Sequence, residues 1–87
     1  MNYKERRLFE LKHLIETARM KTIAAQRAEF DVFTLLENMC GDTSSVPTKA
    51  ENADNLTDAI SCFINYNEYS LDEIMQEIKE LYMKMPG

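Results

Sequence analysis

The feature that most constrains this chain is the absence of helix breakers from Asn2 to Cys40, where neither Gly nor Pro occurs. The segment is rich in Leu, Ala, Glu, Lys, Arg and Met, which have the strongest helix propensities, and its apolar residues keep helical spacing. Gly41 followed by Asp42 is typical of a helix end. The sequence therefore predicts one helix over about residues 3–40, which would be about 57 Å long at about 1.5 Å per residue.

The remainder of the chain predicts a helical hairpin connected to that helix by one polar linker, residues 41–47. Thr-Lys-Ala-Glu at 48–51 and Ser-Leu-Asp-Glu at 70–73 have the form of capping boxes. The apolar spacing after each predicts helices over about 49–65 and 71–85. Two Gly and two Pro in 87 residues are too few for a turn-rich β protein. We expect a single all-α domain over residues 1–87.

The predicted lengths imply that the first helix needs a cover from outside the hairpin. Hairpin helices of about 24 Å would cover less than half of it. Residues 28–40 contain eight apolar side chains, including Phe30 and Phe33, and we expect this half to form the core with the hairpin. The N-terminal half has a narrower stripe in heptad spacing, and its predicted interface residues are Leu8, Leu11, Ile15, Ala18, Thr22 and Ala25.

Three arrangements would cover this stripe. The first is a coiled-coil homodimer or higher oligomer, which the heptad spacing favours. The second is a seam reserved for a different protein. In the third, the long helix bends and the whole chain folds into one monomeric bundle.

Charge divides the chain at nearly the same place. Residues 1–28 carry seven basic and three acidic side chains, a net charge of +4, whereas residues 29–87 carry a net charge of −9. The basic segment predicts a contact face for nucleic-acid phosphates formed by Arg6, Arg7, Lys12 and Arg19. The acidic hairpin predicts a face for a basic partner, or for the basic half of another subunit, formed by Asp54, Asp58, Asp72, Glu73, Glu77 and Glu80.

Residues that carry chemistry are scarce. His13 is the only histidine, and Cys40 and Cys62 lack the spacing of metal ligands. No Gly-rich phosphate loop occurs. We therefore predict no catalytic, cofactor-binding or metal site and no enzymatic activity. In a reducing compartment the two thiols are expected to be small buried groups rather than a disulfide.

These observations together predict a non-catalytic protein-binding module, an adaptor or inhibitor, that works as a helical homo-oligomer and presents an acidic surface to a basic partner. The alternative is a nucleic-acid-binding accessory protein that uses the basic N-terminal half of the first helix. No apolar run approaches the ~18 residues that a membrane span requires. The N-terminus also lacks a signal-peptide core, so the cytoplasm is the expected location.

Overall fold

The computed structural model describes residues 2–86, which form a bundle of four α-helices with no strand in that range. The all-α class predicted from the sequence is thus confirmed. A short 3-10 turn, Thr43–Ser45, follows the second helix. The four helices are α1 (Tyr3–Ala18), α2 (Ile23–Cys40), α3 (Leu56–Tyr66) and α4 (Leu71–Met83).

The predicted single helix over 3–40 is wrong, because the chain turns back on itself between Ala18 and Ile23. Lys21 adopts the left-handed conformation with a φ of 55°. Thr22 is extended and caps α2, since its hydroxyl accepts the backbone N–H of Ala25 at 3.2 Å. Helices α1 and α2 therefore form a hairpin, which is the bend that the third of the three arrangements requires.

Burial of the apolar stripe explains why the helix breaks without a Gly or Pro. A non-Gly residue in the left-handed region costs about 1–2 kcal/mol. Folding back buries Leu11 and Ile15 of α1 completely, in one cluster with Val32 and Leu36 of α2. Each such side chain contributes about 1.5–3 kcal/mol when buried. The gain from several of them exceeds the cost at Lys21.

The cap at Thr22 gives a direct test of this turn. We expect Thr22→Ala to lower the free energy of unfolding by about 1 kcal/mol, because the N–H of Ala25 loses its side-chain acceptor and keeps only the backbone carbonyl of residue 22. Thr34→Ala is the matched control, since that exposed hydroxyl only donates to the Phe30 carbonyl within α2. Urea unfolding followed by circular dichroism measures both. Equal effects of the two substitutions would contradict the capping role.

The linker before α3 is longer than predicted, because α3 begins at Leu56 and not near residue 49. Asn55 is the actual cap, and its side chain accepts the Asp58 N–H at 2.8 Å. The Asp58 carboxylate in turn accepts the N–H of Asp54 at 2.9 Å. Residues 49–55 contain few apolar side chains and several Asn and Asp, which favour turns because their side chains compete for backbone hydrogen bonds.

The predicted helix over 71–85 is nearly correct, since α4 spans Leu71–Met83. Asn67 ends α3 in the left-handed conformation, which Asn adopts more readily than most other residues. The predicted capping box at 70–73 is wrong in its chemistry, because the Ser70 side chain makes no capping hydrogen bond.

All four helices contribute to one core. Helix α1 runs antiparallel to α4, since Lys4 bonds carbonyls at the C-terminal end of α4 and Lys12 pairs with Asp72 at its start. Helices α2 and α3 contact each other less than any other pair of α-helices does. The largest fully buried side chains are Leu11, Ile15, Val32, Leu36, Leu56, Ile60, Ile74 and Ile78.

Candidate protein-interaction surface

The predicted oligomer interface lies mostly inside the protein. Leu11 and Ile15 are fully buried, and Ala18 and Ala25 are 5% and 3% exposed. Leu8 is half-buried against the same core, and Thr22 serves as the cap of α2. The prediction that these six residues form an intermolecular seam is wrong for the folded chain. The stripe does require a cover, and α2, α3 and α4 supply it.

The predicted basic face is not one surface. Lys12 faces α4, where its Nζ lies 3.8 Å from the Asp72 carboxylate. Arg19 stacks over the Phe63 ring at 4.6 Å and donates to the Asn67 side chain. Arg7 lies over the Tyr3 ring at 5.5 Å, and with the exposed Arg6 and with Glu10 it borders a separate shallow depression. The structure thus divides the basic residues between two regions and gives most of them local contacts.

The predicted acidic residues are also divided. Asp58 stabilises the start of α3, Asp72 pairs with Lys12, and Glu77 accepts the hydroxyl of Thr48 at 3.2 Å and the N–H of Lys49 at 3.1 Å. Glu73, Glu77 and Glu80 border a depression of about 390 Å³ on α4. Asp54 is exposed beside the cap of α3 and does not line that depression.

The structure exposes three large apolar side chains on α2 and α3, one of which the sequence predicts in the core. Phe30, expected in the core, is 71% exposed, and Ile23 is 89% exposed. Their separation of seven residues places them on the same side of α2, away from the buried Val32 and Leu36. Tyr66, at the end of α3, is 73% exposed. We call Ile23, Phe30 and Tyr66 the groove rim, because Ile23 and Tyr66 line one of the two depressions described next and Phe30 lies about one turn of α2 before Phe33, which lines the other.

Two depressions lie along α2, each lined by residues of both α2 and α3, and we refer to the two together as the α2–α3 groove. One, of about 680 Å³, lies between the N-terminal part of α2 and the end of α3, with Ile23 and Tyr66 in its lining. The other, of about 350 Å³, lies between the C-terminal part of α2 and the start of α3, with Phe33 in its lining. Consecutive turns of α2 line both, so the groove follows that helix.

The groove is acidic along its α2 wall. Glu29 lines the first depression and Glu37 and Asp42 line the second, against the single cation Lys21. Hydrogen bonds from Ser44 lower the pKa of Asp42 from its ordinary value of 3.8. Within residues 2–86 the carboxylates of Glu29 and Glu37 have neither a hydrogen bond nor an ion pair, and Lys12–Asp72 is the one salt bridge. A ligand can therefore reach both without displacing an internal partner.

The surroundings of the two thiols favour their protonated form. Burial raises the pKa of the Cys40 thiol above its ordinary value of 9.0. Burial and then the charges of Asp58 and Glu68 raise that of Cys62. His13 is exposed on α1. Within residues 2–86, no three His, Cys, Asp or Glu side chains are arranged to hold a metal ion.

The raised thiol pKa values predict the reactivity of the cysteines and its pH dependence. At pH 8 we expect both thiols to react more slowly with a disulfide reagent in the native protein than in urea, because only the thiolate reacts. Because the pKa is higher in the folded than in the unfolded chain, this contribution to stability is present below pH 9.0 and declines as the pH rises above it. Stopped-flow absorbance at several pH values measures the rates. Equal rates in the native and unfolded protein would contradict this expectation.

No protein-family model, curated protein or solved structure matches the chain. None of the helices within residues 2–86 combines the length and the apolar character needed to cross a membrane.

Proposed function

We propose that this protein is a non-catalytic protein-binding module, an adaptor or inhibitor, and that its contact surface is the α2–α3 groove with its rim. The observation that carries the proposal is the exposure of Ile23, Phe30 and Tyr66 at 89%, 71% and 73%. Isolated exposed apolar residues are ordinary, whereas apolar residues gathered at a groove and framed by polar ones mark interaction sites. Aromatic side chains are also enriched in such interfaces.

Other features of the chain agree with binding rather than catalysis. The two thiols are held protonated, and no partner group converges on His13 among the hydrogen bonds of residues 2–86. Unpaired Cys40 and Cys62 suit a reducing compartment, and we propose the cytoplasm. We do not propose the nucleic-acid alternative, because the basic residues it requires are divided between two regions.

Self-association needs a new surface, because the predicted heptad seam is internal. The groove rim is the apolar surface that a second copy could use. The proposal of a different protein partner and the proposal of a homo-oligomer now concern the same residues, so one experiment addresses both.

Site-specific photo-crosslinking in cells that naturally produce the protein tests the proposal. A benzophenone amino acid replaces Phe30 in one variant and Phe9 in the other, since Phe9 is similarly exposed (65%) but lies on α1. We expect a discrete adduct from position 30 that position 9 does not give, identified by mass spectrometry. An adduct with a second copy of the chain would make the groove a self-association surface. The absence of a specific adduct at position 30 would overturn the proposal.

A further inference from the structure

We propose that the α2–α3 groove binds a basic amphipathic helix of a partner protein, an inference that rests on the proposed function and adds the chemistry of its ligand. Helix α2 forms one wall of the groove, and the lining combines aromatic and carboxylate side chains. Recognition of an amphipathic helix by a groove uses apolar anchors one or two turns apart, with charges at the edges that fix orientation. The features of this groove match that mode.

The arrangement of charge along α2 sets the pattern of the ligand. Glu29 and Glu37 lie on either side of Phe33 in α2, each four positions from it in the sequence. Residues four apart share a helix face, so the two carboxylates stand about 12 Å apart along the axis. A helix laid along α2 would meet them with two basic residues seven or eight positions apart. Apolar residues between those cations would contact Phe33 and the rim at Phe30.

Charge complementarity favours a basic partner over a second copy of this chain. The groove lining contains Glu29, Glu37 and Asp42 against Lys21, and the whole chain has a net charge of −5. Two copies that meet across their grooves would bring like charges together, which is destabilising. Among the described residues the other exposed aromatic side chains are Tyr3 and Phe9, and Phe9 has Glu5 and Glu16 on its own helix face, so α1 does not offer a purely basic face.

The area that a stable interface requires also favours a partner helix over a second copy of this chain. A stable interface between two proteins buries about 800 Å² on each partner. A symmetric contact between two copies of α2 would centre on only two exposed apolar side chains, Ile23 and Phe30. A helix seated in the groove contacts two walls, those of α2 and of α3, and so buries more area per residue of ligand.

Fluorescence anisotropy with two designed peptides tests the inference. Each is an Ala- and Leu-based helix of about 18 residues, with two Lys eight positions apart in one peptide and two Glu there in the other. We expect the Lys peptide to bind about tenfold more tightly than the Glu peptide, since two exposed ion pairs of about 0.7 kcal/mol each give that ratio. The preference should weaken with added salt.

Three double variants of the full chain separate the contributions. Glu29→Gln with Glu37→Gln should remove the tenfold preference, whereas Glu73→Gln with Glu80→Gln, on α4, should keep it. Ile23→Ser with Phe30→Ser should abolish binding of both peptides, and its circular dichroism spectrum should stay that of the parent, because both side chains are exposed.

The outcomes distinguish this inference from the proposed function. If both peptides bind equally and this binding requires Ile23 and Phe30, the inferred preference for a basic ligand is overturned. The proposed protein-binding function would then still stand. No peptide binding, together with a concentration-dependent dimer that the rim variant loses, would replace the partner helix by a second copy. No peptide binding and no change of any property in the rim variant would overturn both.

Discussion

Ile15→Ala should lower the free energy of unfolding by about 2–5 kcal/mol, because the substitution leaves a cavity where a large side chain is fully enclosed. A chain of 87 residues has a typical stability of about 4–13 kcal/mol, so the loss is a large share of the total. Thermal unfolding should shift downward by more than about 10 °C. The measurement is a circular dichroism melt of the purified variant beside the parent protein.

The matched control for this prediction is Ile23→Ala. The side chain is the same, but Ile23 is 89% exposed whereas Ile15 is 0% exposed. We expect the control to change the stability by no more than about 0.5 kcal/mol. If Ile15 belonged to an intermolecular seam instead, its substitution would dissociate an oligomer and the melting temperature would depend on protein concentration. A concentration-independent melt with a large loss at Ile15 alone is the expected result.

Lys4→Met should be the most destabilising substitution of a charged residue. The Lys4 ammonium donates to the carbonyls of Tyr82 and Met85 at 2.8 and 2.7 Å and lies 4.6 Å from the centre of the Tyr82 ring. These bonds satisfy carbonyl groups at the C-terminal end of α4, where a positive charge is also favourable. Because hydrogen bonds to charged groups contribute about 1.5–3 kcal/mol, we expect a loss of that size. The aliphatic stem is kept in Met, so packing changes little.

Lys79→Met provides the comparison, since Lys79 is exposed on α4 and its ammonium has no hydrogen-bond partner among residues 2–86. Urea titrations of both variants measure the difference. We expect the control to stay within about 0.5 kcal/mol of the parent. A similar small change for Lys4 would mean that α1 does not hold the end of α4 in solution. The prediction also assigns a structural role to one of the basic residues of the first 28 positions.

Much of the fold follows from the sequence. The features that cannot be predicted from it are set by packing between distant segments of the chain. The helical class, the approximate span of α4 and the end of α2 at Cys40 all come from spacing and from Gly41. The turn at Lys21 and Thr22 does not, because no breaker marks it. The local preference for a continuous helix there amounts to about 1–2 kcal/mol. Burial of α1 against the rest of the chain outweighs that preference, and burial is not a local property.

The candidate surface was missed for a related reason. The sequence predicts Phe30 in the core because the apolar side chains of residues 28–40 occupy much of the helix circumference. A hairpin leaves α2 with a solvent face, and the spacing from Ile23 to Phe30 was the available signal for it. The heptad at Leu11, Ile15 and Ala18 was correctly interpreted as a surface to be covered. The error was to assign the cover to another molecule.

The distance between labels on α1 and α2 tests the central claim, the fold-back at Lys21, most directly. Spin labels attached to cysteines at the exposed positions Glu5 and Asn38, in a chain with Cys40→Ala and Cys62→Ser, suit pulsed electron resonance. In the hairpin these positions lie toward the same end of two adjacent helices whose axes are about 8–10 Å apart, and the longest dimension of the molecule is 34 Å. We therefore predict a single narrow distance below about 25 Å once label length is included. A continuous helix would separate the same two backbone positions by about 50 Å, and a distribution centred there would contradict the fold-back and the groove that depends on it.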